Sequence, residues 1–262
     1  MPFLGAASGQ KGQDWLCSVH MEDSAAILVI GNEILSGKVR DTNSPFLIEE
    51  LRLLGYPVAR VLVIPDQAET IARAVAGLSR QFKQVLTSGG VGPTLDDVTL
   101  EGIAAAFDLE LVRNQRLEEI IARHYGEAMT PSHLKMAMVP DGTQLTWSDE
   151  LPWPLIEVRN VMVLPGDPKI LRKKFSAAHD RFRRDPWHLK RVYTSLDEGH
   201  LAPLLEQIQS AYPEVAIGSY PVYERSDYDV QVTLESKDER LVTQALSGFR
   251  GMLDEKDIVR IE

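Results

Sequence analysis

Residues 84–99 read QVLTSGGVGPTLDDVT, and this stretch decides the fold. The run Gln84–Ser88 predicts a buried strand, and the glycine-rich segment 89–94 leads from it into a predicted helix. Three glycines let the backbone approach a ligand closely, and the start of the next helix offers free N–H groups to a phosphate. The stretch therefore predicts a phosphate-holding loop, with a tight turn that binds no ligand as the alternative. It matches neither a P-loop nor Gly-x-Gly-x-x-Gly, so neither an ATPase nor a dinucleotide fingerprint is supported.

The same alternation of strands and helices extends on both sides of this stretch. The β-rich runs Ala25–Ile30 and Val58–Ile64 precede it, and one longer strand is expected over residues 155–164. A helix is expected to begin at Pro45 with Ser44 as its cap. This alternation predicts an α/β domain in which helices cover a largely parallel sheet.

The pattern changes near Asp185, where a second module begins. The runs that follow predict the order β-α-β-β-α-β, which is typical of a small α+β domain. The first residues are rich in Gly, Ala and Ser and lack the charge and apolar pattern of a signal peptide. We therefore predict a flexible tail over residues 1–23, an α/β domain over 24–185 and a small α+β domain over 186–262.

Polar residues and glycines follow the first and third predicted strands. In open α/β sheets, ligands collect outside the carboxyl ends of the strands, so these two loops are expected to face one crevice. Asn43 could equally cap the helix that follows it. The predicted ligand-binding residues of the two loops are Gly31, Asn32, Glu33, Asp41, Asn43, Ser88, Gly89, Gly90, Gly92, Pro93, Thr94 and Thr99.

Three aspartates are expected at the same edge of the sheet. Asp96 and Asp97 are predicted to lie just inside the helix start, where a divalent cation could bridge their carboxylates and a diphosphate. Carboxylates are also favourable there because of the helix dipole, which is a purely structural alternative. Asp66 follows another strand, and capping a helix is the alternative to a catalytic role.

Composition excludes several classes of function. The formal net charge of −10 argues against a general nucleic-acid binder, and the basic runs Arg172–Lys174 and Arg181–Arg184 are expected to be solvated helix faces. A lone cysteine, Cys17, excludes an internal disulfide, and the six histidines lack metal-ligand spacing. The sequence contains no apolar run of about 18 residues, so we expect no contact with a membrane and a cytoplasmic location.

Two blocks of this chain resemble the signature blocks of molybdopterin-binding-like domains. They are residues 31–43, GNEILSGKVRDTN, and residues 87–99, TSGGVGPTLDDVT. The chain resembles the N-terminal domain of competence/damage-inducible protein A and, more closely, that of eukaryotic FAD synthases. The resemblance continues through Leu164-Pro165-Gly166 and covers roughly residues 25–260.

The resemblance implies a three-layer αβα domain with a largely parallel sheet, followed by the smaller α+β domain. It also implies catalytic roles for Asp66 and Asp97 beside the glycine-rich loop. Metal binding is predicted for Asp96 and Asp97, and Pro165 and Gly166, which follow the predicted strand over residues 155–164, are added to the predicted ligand-binding residues. This branch of the family is linked to metal-dependent hydrolysis of FAD or ADP-ribose. Mg²⁺, Mn²⁺ or Co²⁺ is therefore the expected cofactor, and a nucleotide or pterin phosphate is the expected small-molecule partner.

The sequence is compatible with three functions. The first is a divalent-metal-dependent hydrolase of a nucleotide diphosphate, in other words a pyrophosphatase. The second is a pterin- or nucleotide-binding module without catalysis, and the third is a molybdopterin adenylyltransferase. A homodimer is expected by base rate and by analogy with the branch, and light scattering would test it.

Overall fold

The computed structural model describes residues 21–148, 151–223 and 227–262. Residues 1–20 of the predicted tail lie outside the described residues. The chain divides into two compact units, one ending at Arg184 and the other spanning Asp185–Glu262. Among the described helices, none is both long and apolar enough to cross a membrane.

A mixed, largely parallel sheet forms the centre of the first unit. In the described residues its strand order is β2-β1-β3-β8-β7-β6. Strands β1, β2, β3 and β8 are mutually parallel, and β7 pairs antiparallel with both β8 and β6. Strands β4 and β5 pair separately as an antiparallel ribbon. The strands are β1 (Ala25–Ile30), β2 (Val58–Ile64), β3 (Gln84–Ser88), β4 (Leu111–Arg113), β5 (Met138–Pro140), β6 (Gln144–Thr146), β7 (Leu155–Val158) and β8 (Val161–Leu164).

Helices cover both faces of this sheet. Every residue of β1 is buried, because alternate side chains enter two different cores. Helices α3, α4 and α5 pack on one face, and α2 and α7 pack on the other, so the predicted three-layer αβα architecture is confirmed. The helices are α1 (Asn32–Leu35), α2 (Asn43–Leu53), α3 (Ala68–Gln81), α4 (Thr99–Phe107), α5 (Gln115–Tyr125), α6 (Pro131–Leu134) and α7 (Pro168–Ser176).

The single strand predicted over residues 155–164 is wrong. It is a hairpin of β7 and β8, which pair antiparallel around Arg159 and Asn160. Arg159 adopts a positive φ of 55° in the turn, a conformation that Gly or Asn signals more often than Arg. The Asn160 side chain donates to the carbonyls of Ser79 and Phe82, which ties the turn to the end of α3.

One member of the basic runs, Lys174, does not lie on a solvated face, which corrects the prediction for that residue. Lys174 is buried, and its ammonium donates to the carbonyls of Trp153 and Pro154. Burial lowers the pKa of Lys174 to about 8. Arg181 makes two hydrogen bonds of 2.6 and 2.7 Å to the buried carboxylate of Glu157. Lys174 therefore belongs to the packing of the first unit, whereas Arg181, whose side chain is 49% exposed, pairs with a buried acid from the surface.

Thr87 carries a buried polar atom that its surroundings do not satisfy. Its side chain is fully buried in β3, and its hydroxyl meets no hydrogen-bond partner in the described part of the chain. Thr87→Val replaces this hydroxyl with a methyl group of similar size, so we expect the free energy of unfolding to rise by about 1 kcal/mol. Urea denaturation would measure the change. Thr146→Val, on an exposed strand position, is the control and should change stability by less than about 0.5 kcal/mol. A loss of stability in Thr87→Val would contradict the prediction.

The second unit has the predicted order β-α-β-β-α-β. Its sheet is antiparallel with the strand order β10-β11-β9-β12, and α8 and α9 supply the helical side of one core. Along β11, residues at alternate positions are buried, as the clean apolar alternation of that segment predicts. The elements are β9 (His188–Thr194), α8 (Glu198–Ala211), β10 (Ala216–Pro221), β11 (Val230–Ser236), α9 (Glu239–Arg250) and β12 (Ile258–Ile261).

Candidate functional site

The predicted site residues all lie at or just beyond the carboxyl ends of four parallel strands. Because β1, β2, β3 and β8 run in the same direction, their following loops emerge at the same edge of the sheet. These loops begin at Gly31, Pro65, Gly89 and Pro165 respectively. The half-buried Pro93 and Pro165 belong to two of them.

The glycine-rich loop after β3 is held at its base by backbone contacts. The N–H of Gly89 donates to the carbonyl of Leu164 at 3.1 Å. Thr99 donates its N–H to the carbonyl of Gly90 and its hydroxyl to the carbonyl of Gly89. Gly89 and Gly90 have φ values of 106° and 65°, which disfavour any side chain. Within the described residues, the N–H groups of Gly90, Val91 and Gly92 donate to no protein acceptor.

Asp96 and Asp97 lie in a turn before α4 and not inside the helix, which corrects the predicted position. α4 begins at Thr99. Asp97 Oδ2 accepts the backbone N–H of Thr94 at 2.9 Å and also contacts its hydroxyl, so this carboxylate closes the turn. The Thr94 hydroxyl is also 2.6 Å from Asp96 Oδ1, and this hydrogen bond lowers the pKa of the Asp96 carboxyl. Two adjacent acids therefore have different surroundings.

Asp66 sits between the glycine-rich loop and α1. Its Oδ2 accepts the backbone N–H of Asn32 at 2.6 Å, and its Oδ1 would lie 3.5 Å from a Cβ added to Gly90. Burial raises the pKa of the Asp66 carboxyl, and the nearby carboxylates of Glu33 and Asp96 raise it further. Asp66 does not cap α3, whose N-cap is Gln67 without a side-chain cap hydrogen bond. The N–H that Asp66 accepts belongs instead to Asn32, the first residue of α1.

Asn43 joins three loops instead of capping a helix. Its amide donates to Ser88 Oγ at 2.9 Å and to the carbonyl of Gly166 at 2.8 Å. Asp41 performs the capping, since its Oδ1 accepts the backbone N–H groups of Asn43 and Ser44 at 2.9 and 3.1 Å. The prediction of Ser44 as cap is therefore wrong, and α2 begins two residues earlier than Pro45.

Two clefts flank the glycine-rich loop. We call the first the methionine cleft; it is lined by Gly90, Val91, Gly92, Asp97, Leu100, Glu101, Lys135, Met136 and Met138. The second, the asparagine cleft, contains the buried Asn43 and Ser88 and is also bordered by Glu33, Arg40, Asp41, Gly89 and Gly166. The two loops predicted to share a crevice do share the asparagine cleft, whereas Asp97 lines only the methionine cleft.

Lys135 is a site residue that the sequence reasoning missed. Its ammonium donates to the carbonyls of Thr94 and Asp97, at 2.9 and 2.6 Å. The available signal was a single cation inside the otherwise apolar run from Leu134 to Met138. No local spacing connects it to a loop about 40 residues earlier in the chain.

Two consecutive segments of the chain match known families. Residues 26–183 match the family described as the probable molybdopterin binding domain, and residues 186–262 match the middle domain of FAD synthase. A protein of Archaeoglobus fulgidus is 34% identical over 232 residues, which are 88% of this chain and 98% of that protein. The probable FAD synthase of Caenorhabditis elegans is 31% identical over 258 residues, and the match spans only 50% of its length.

One solved structure supports the same relationship. The crystal structure of CinA from Thermoplasma acidophilum, a protein described as having unknown function, superposes with a TM-score of 0.57 and 32% sequence identity. The match covers 62% of this chain and 98% of that one.

Proposed function

This chain belongs to the family of probable molybdopterin binding domains, and we propose that it binds a nucleotide diphosphate such as FAD or ADP-ribose and hydrolyses the diphosphate bond. The products of such a reaction are two phosphomonoesters, formed when water adds to one phosphorus and the bond to the bridging oxygen breaks. AMP would be one product with either substrate.

The single observation that carries the proposal is the set of N–H groups in the glycine-rich loop. Those of Gly90, Val91 and Gly92 donate to no acceptor among the described residues, whereas those of Gly89 and Thr94, on either side, are paired. Successive unpaired N–H groups beside a strand end are a common way to hold phosphate oxygens. The positive φ values of Gly89 and Gly90 give the loop a shape that few other residues can adopt.

A divalent cation, Mg²⁺, Mn²⁺ or Co²⁺, is part of the proposal. Among the described residues, no group of three or more His, Cys, Asp or Glu side chains is placed to hold a metal ion. The donor set therefore does not fit a closed protein cage, but it fits a cation shared between one or two carboxylates and phosphate oxygens. Asp96 is the nearest candidate carboxylate, because it lies in the turn that ends the glycine-rich loop and its charge acts on Asp66. Such a cation would neutralise the diphosphate and polarise the attacked phosphorus.

Asp66 is the proposed general base. A carboxyl with a raised pKa is a stronger base than an ordinary aspartate, and this carboxyl lies against the glycine-rich loop. Asp97, predicted as catalytic from the sequence, holds the turn through the N–H of Thr94. We therefore propose that Asp97 supports the loop and that Asp66 accepts the proton of the attacking water.

The test is a turnover assay with the whole chain. We expect release of AMP from FAD or ADP-ribose in the presence of Mg²⁺, Mn²⁺ or Co²⁺ and no release after addition of EDTA, measured by chromatography. Absence of AMP with each of the three metals would exclude the hydrolase.

A binding module without catalysis is the second candidate, favoured by the lack of a preformed metal-binding group in the described residues. It predicts that FAD or ADP-ribose raises the melting temperature without any loss of the nucleotide. Thermal shift and chromatography on the same samples separate the two functions.

A further inference from the structure

Lys135 connects a distant part of the chain to the turn of the glycine-rich loop. It begins a short 3-10 turn between α6 and β5, and its half-buried ammonium contacts the carbonyls of Thr94 and Asp97. Its Nζ also lies 3.5 Å from Glu101 Oε1 in the first turn of α4. An ammonium has three N–H donors; two of them bind the carbonyls, and Glu101 is the anion that pairs with the remaining charge.

The charge of Lys135 is unusual for its surroundings. It is the one cation among the described residues that line the methionine cleft, and Asp97 and Glu101 are acids of the same cleft. A diphosphate carries at least two negative charges and would be repelled by these acids. A phosphate held by the N–H groups of Gly90 to Gly92 therefore requires positive charge close by.

The ion pair with Glu101 is easy to exchange. The side chains of Lys135 and Glu101 are 29% and 33% exposed. Their N···O distance of 3.5 Å is long for a hydrogen bond. Pairs of this kind contribute little to stability. The two carbonyl bonds are shorter, at 2.9 and 2.6 Å, and they fix the ammonium beside the loop whichever anion accepts its third proton.

We propose that Lys135 is a ligand-binding cation that exchanges Glu101 for a phosphate oxygen when a nucleotide diphosphate binds. This inference rests on the proposed function. Lys135 keeps its bonds to Thr94 and Asp97 throughout, so the ammonium positions the loop and recognises the ligand at once. Glu101 competes with the ligand for the same charge.

The experiment measures the dissociation constant of ADP-ribose by calorimetry in EDTA, where no turnover is expected, at several salt concentrations. Lys135→Met should weaken binding about tenfold and make it less sensitive to salt, because one charged hydrogen bond is lost. Lys135→Arg should restore most of the affinity. Glu101→Gln should tighten binding about threefold, because the competing carboxylate is removed while both carbonyl bonds remain.

A matched control is available in the pair Arg113–Glu118, which has the same 3.5 Å distance and does not line the methionine cleft. Glu118→Gln should leave the affinity unchanged. If Lys135 only supports the loop, Glu101→Gln will leave binding unchanged or weaken it, and either result overturns the inference even if Lys135→Met fails to fold. If Lys135→Met binds ADP-ribose with the same dissociation constant as the wild type, the inference is overturned as well. If the wild type binds no ADP-ribose in EDTA and none in a repeat with Mg²⁺, the proposed function fails, and the inference fails with it. If it binds only with Mg²⁺, the same variants are compared in that buffer.

Discussion

Gly89→Ala is expected to lower the free energy of unfolding by about 4 kcal/mol, far more than most single substitutions. Gly89 has a φ of 106°, and an added Cβ would lie 2.1 Å from the backbone oxygen of Ile30. Ile30 is the last residue of the fully buried β1, and the N–H of Gly31 is bonded to Ile64, so this carbonyl has little freedom to move. The clash therefore combines with an unfavourable backbone conformation.

Gly37→Ala is the matched control for this effect. Gly37 has a φ of 70°, but a Cβ there would meet no atom within 4 Å. Its cost should be only that of the left-handed backbone conformation, about 1 kcal/mol. Urea denaturation of both variants and the wild type gives the comparison. Equal losses in the two variants would show that the contact with Ile30 is not responsible.

Gly89 also illustrates which part of the fold the sequence predicts well. Strand β1 is short and strongly apolar, β3 is short and β-rich, and a glycine follows each of them at once, so strand, loop and helix follow from local pattern. The hairpin of β7 and β8 was missed for the opposite reason. Its turn uses Arg159 in a positive φ conformation, and the long-range bonds of Asn160 to Ser79 and Phe82 stabilise it. Residue spacing within the hairpin cannot predict partners that lie about 80 residues earlier in the chain.

Within the candidate site, the loops could be predicted but the directions of the side chains could not. Parallel strand order brings Asp66 and the glycine-rich loop to one edge, as predicted. Asp96 and Asp97 are neighbours in sequence, yet Asp97 faces the backbone N–H of Thr94 while Asp96 influences Asp66. Similarly, the segment 41–44 contains four residues suited to capping. Only the structure shows that Asp41 caps the helix and that Asn43 contacts Ser88.

Asp66→Asn is expected to reduce the proposed hydrolysis at least about 100-fold, because the amide cannot accept a proton from water. The substitution should preserve the local structure, since the side-chain oxygen of Asn can still accept the N–H of Asn32. Turnover of ADP-ribose at saturating concentration measures the effect. Asp108→Asn, at the end of α4 and outside both clefts, is the control and should retain wild-type turnover.

The pH dependence gives an independent test of the same carboxyl. Burial and the charge of Glu33 raise the Asp66 pKa, so activity should fall with decreasing pH at a higher pH than an ordinary aspartate would give. Glu33→Gln removes one cause of the raised pKa and should move this acidic limb to lower pH. An acidic limb that stays in place in Glu33→Gln would mean that another group controls the rate.

Stability should respond in the direction opposite to activity. A carboxyl whose pKa is raised on folding favours the folded state when protonated, and that contribution is lost as the pH rises through the raised pKa. Above its raised pKa, Asp66 is an ionised group in an unfavourable place, and at such a pH Asp66→Asn should melt at the same or a higher temperature than the wild type. A structural carboxylate would behave differently, because its removal would lower the melting temperature. Loss of turnover together with unchanged or increased stability would thus identify Asp66 as an acid retained for chemistry, whereas full turnover in the folded variant would exclude it as the base.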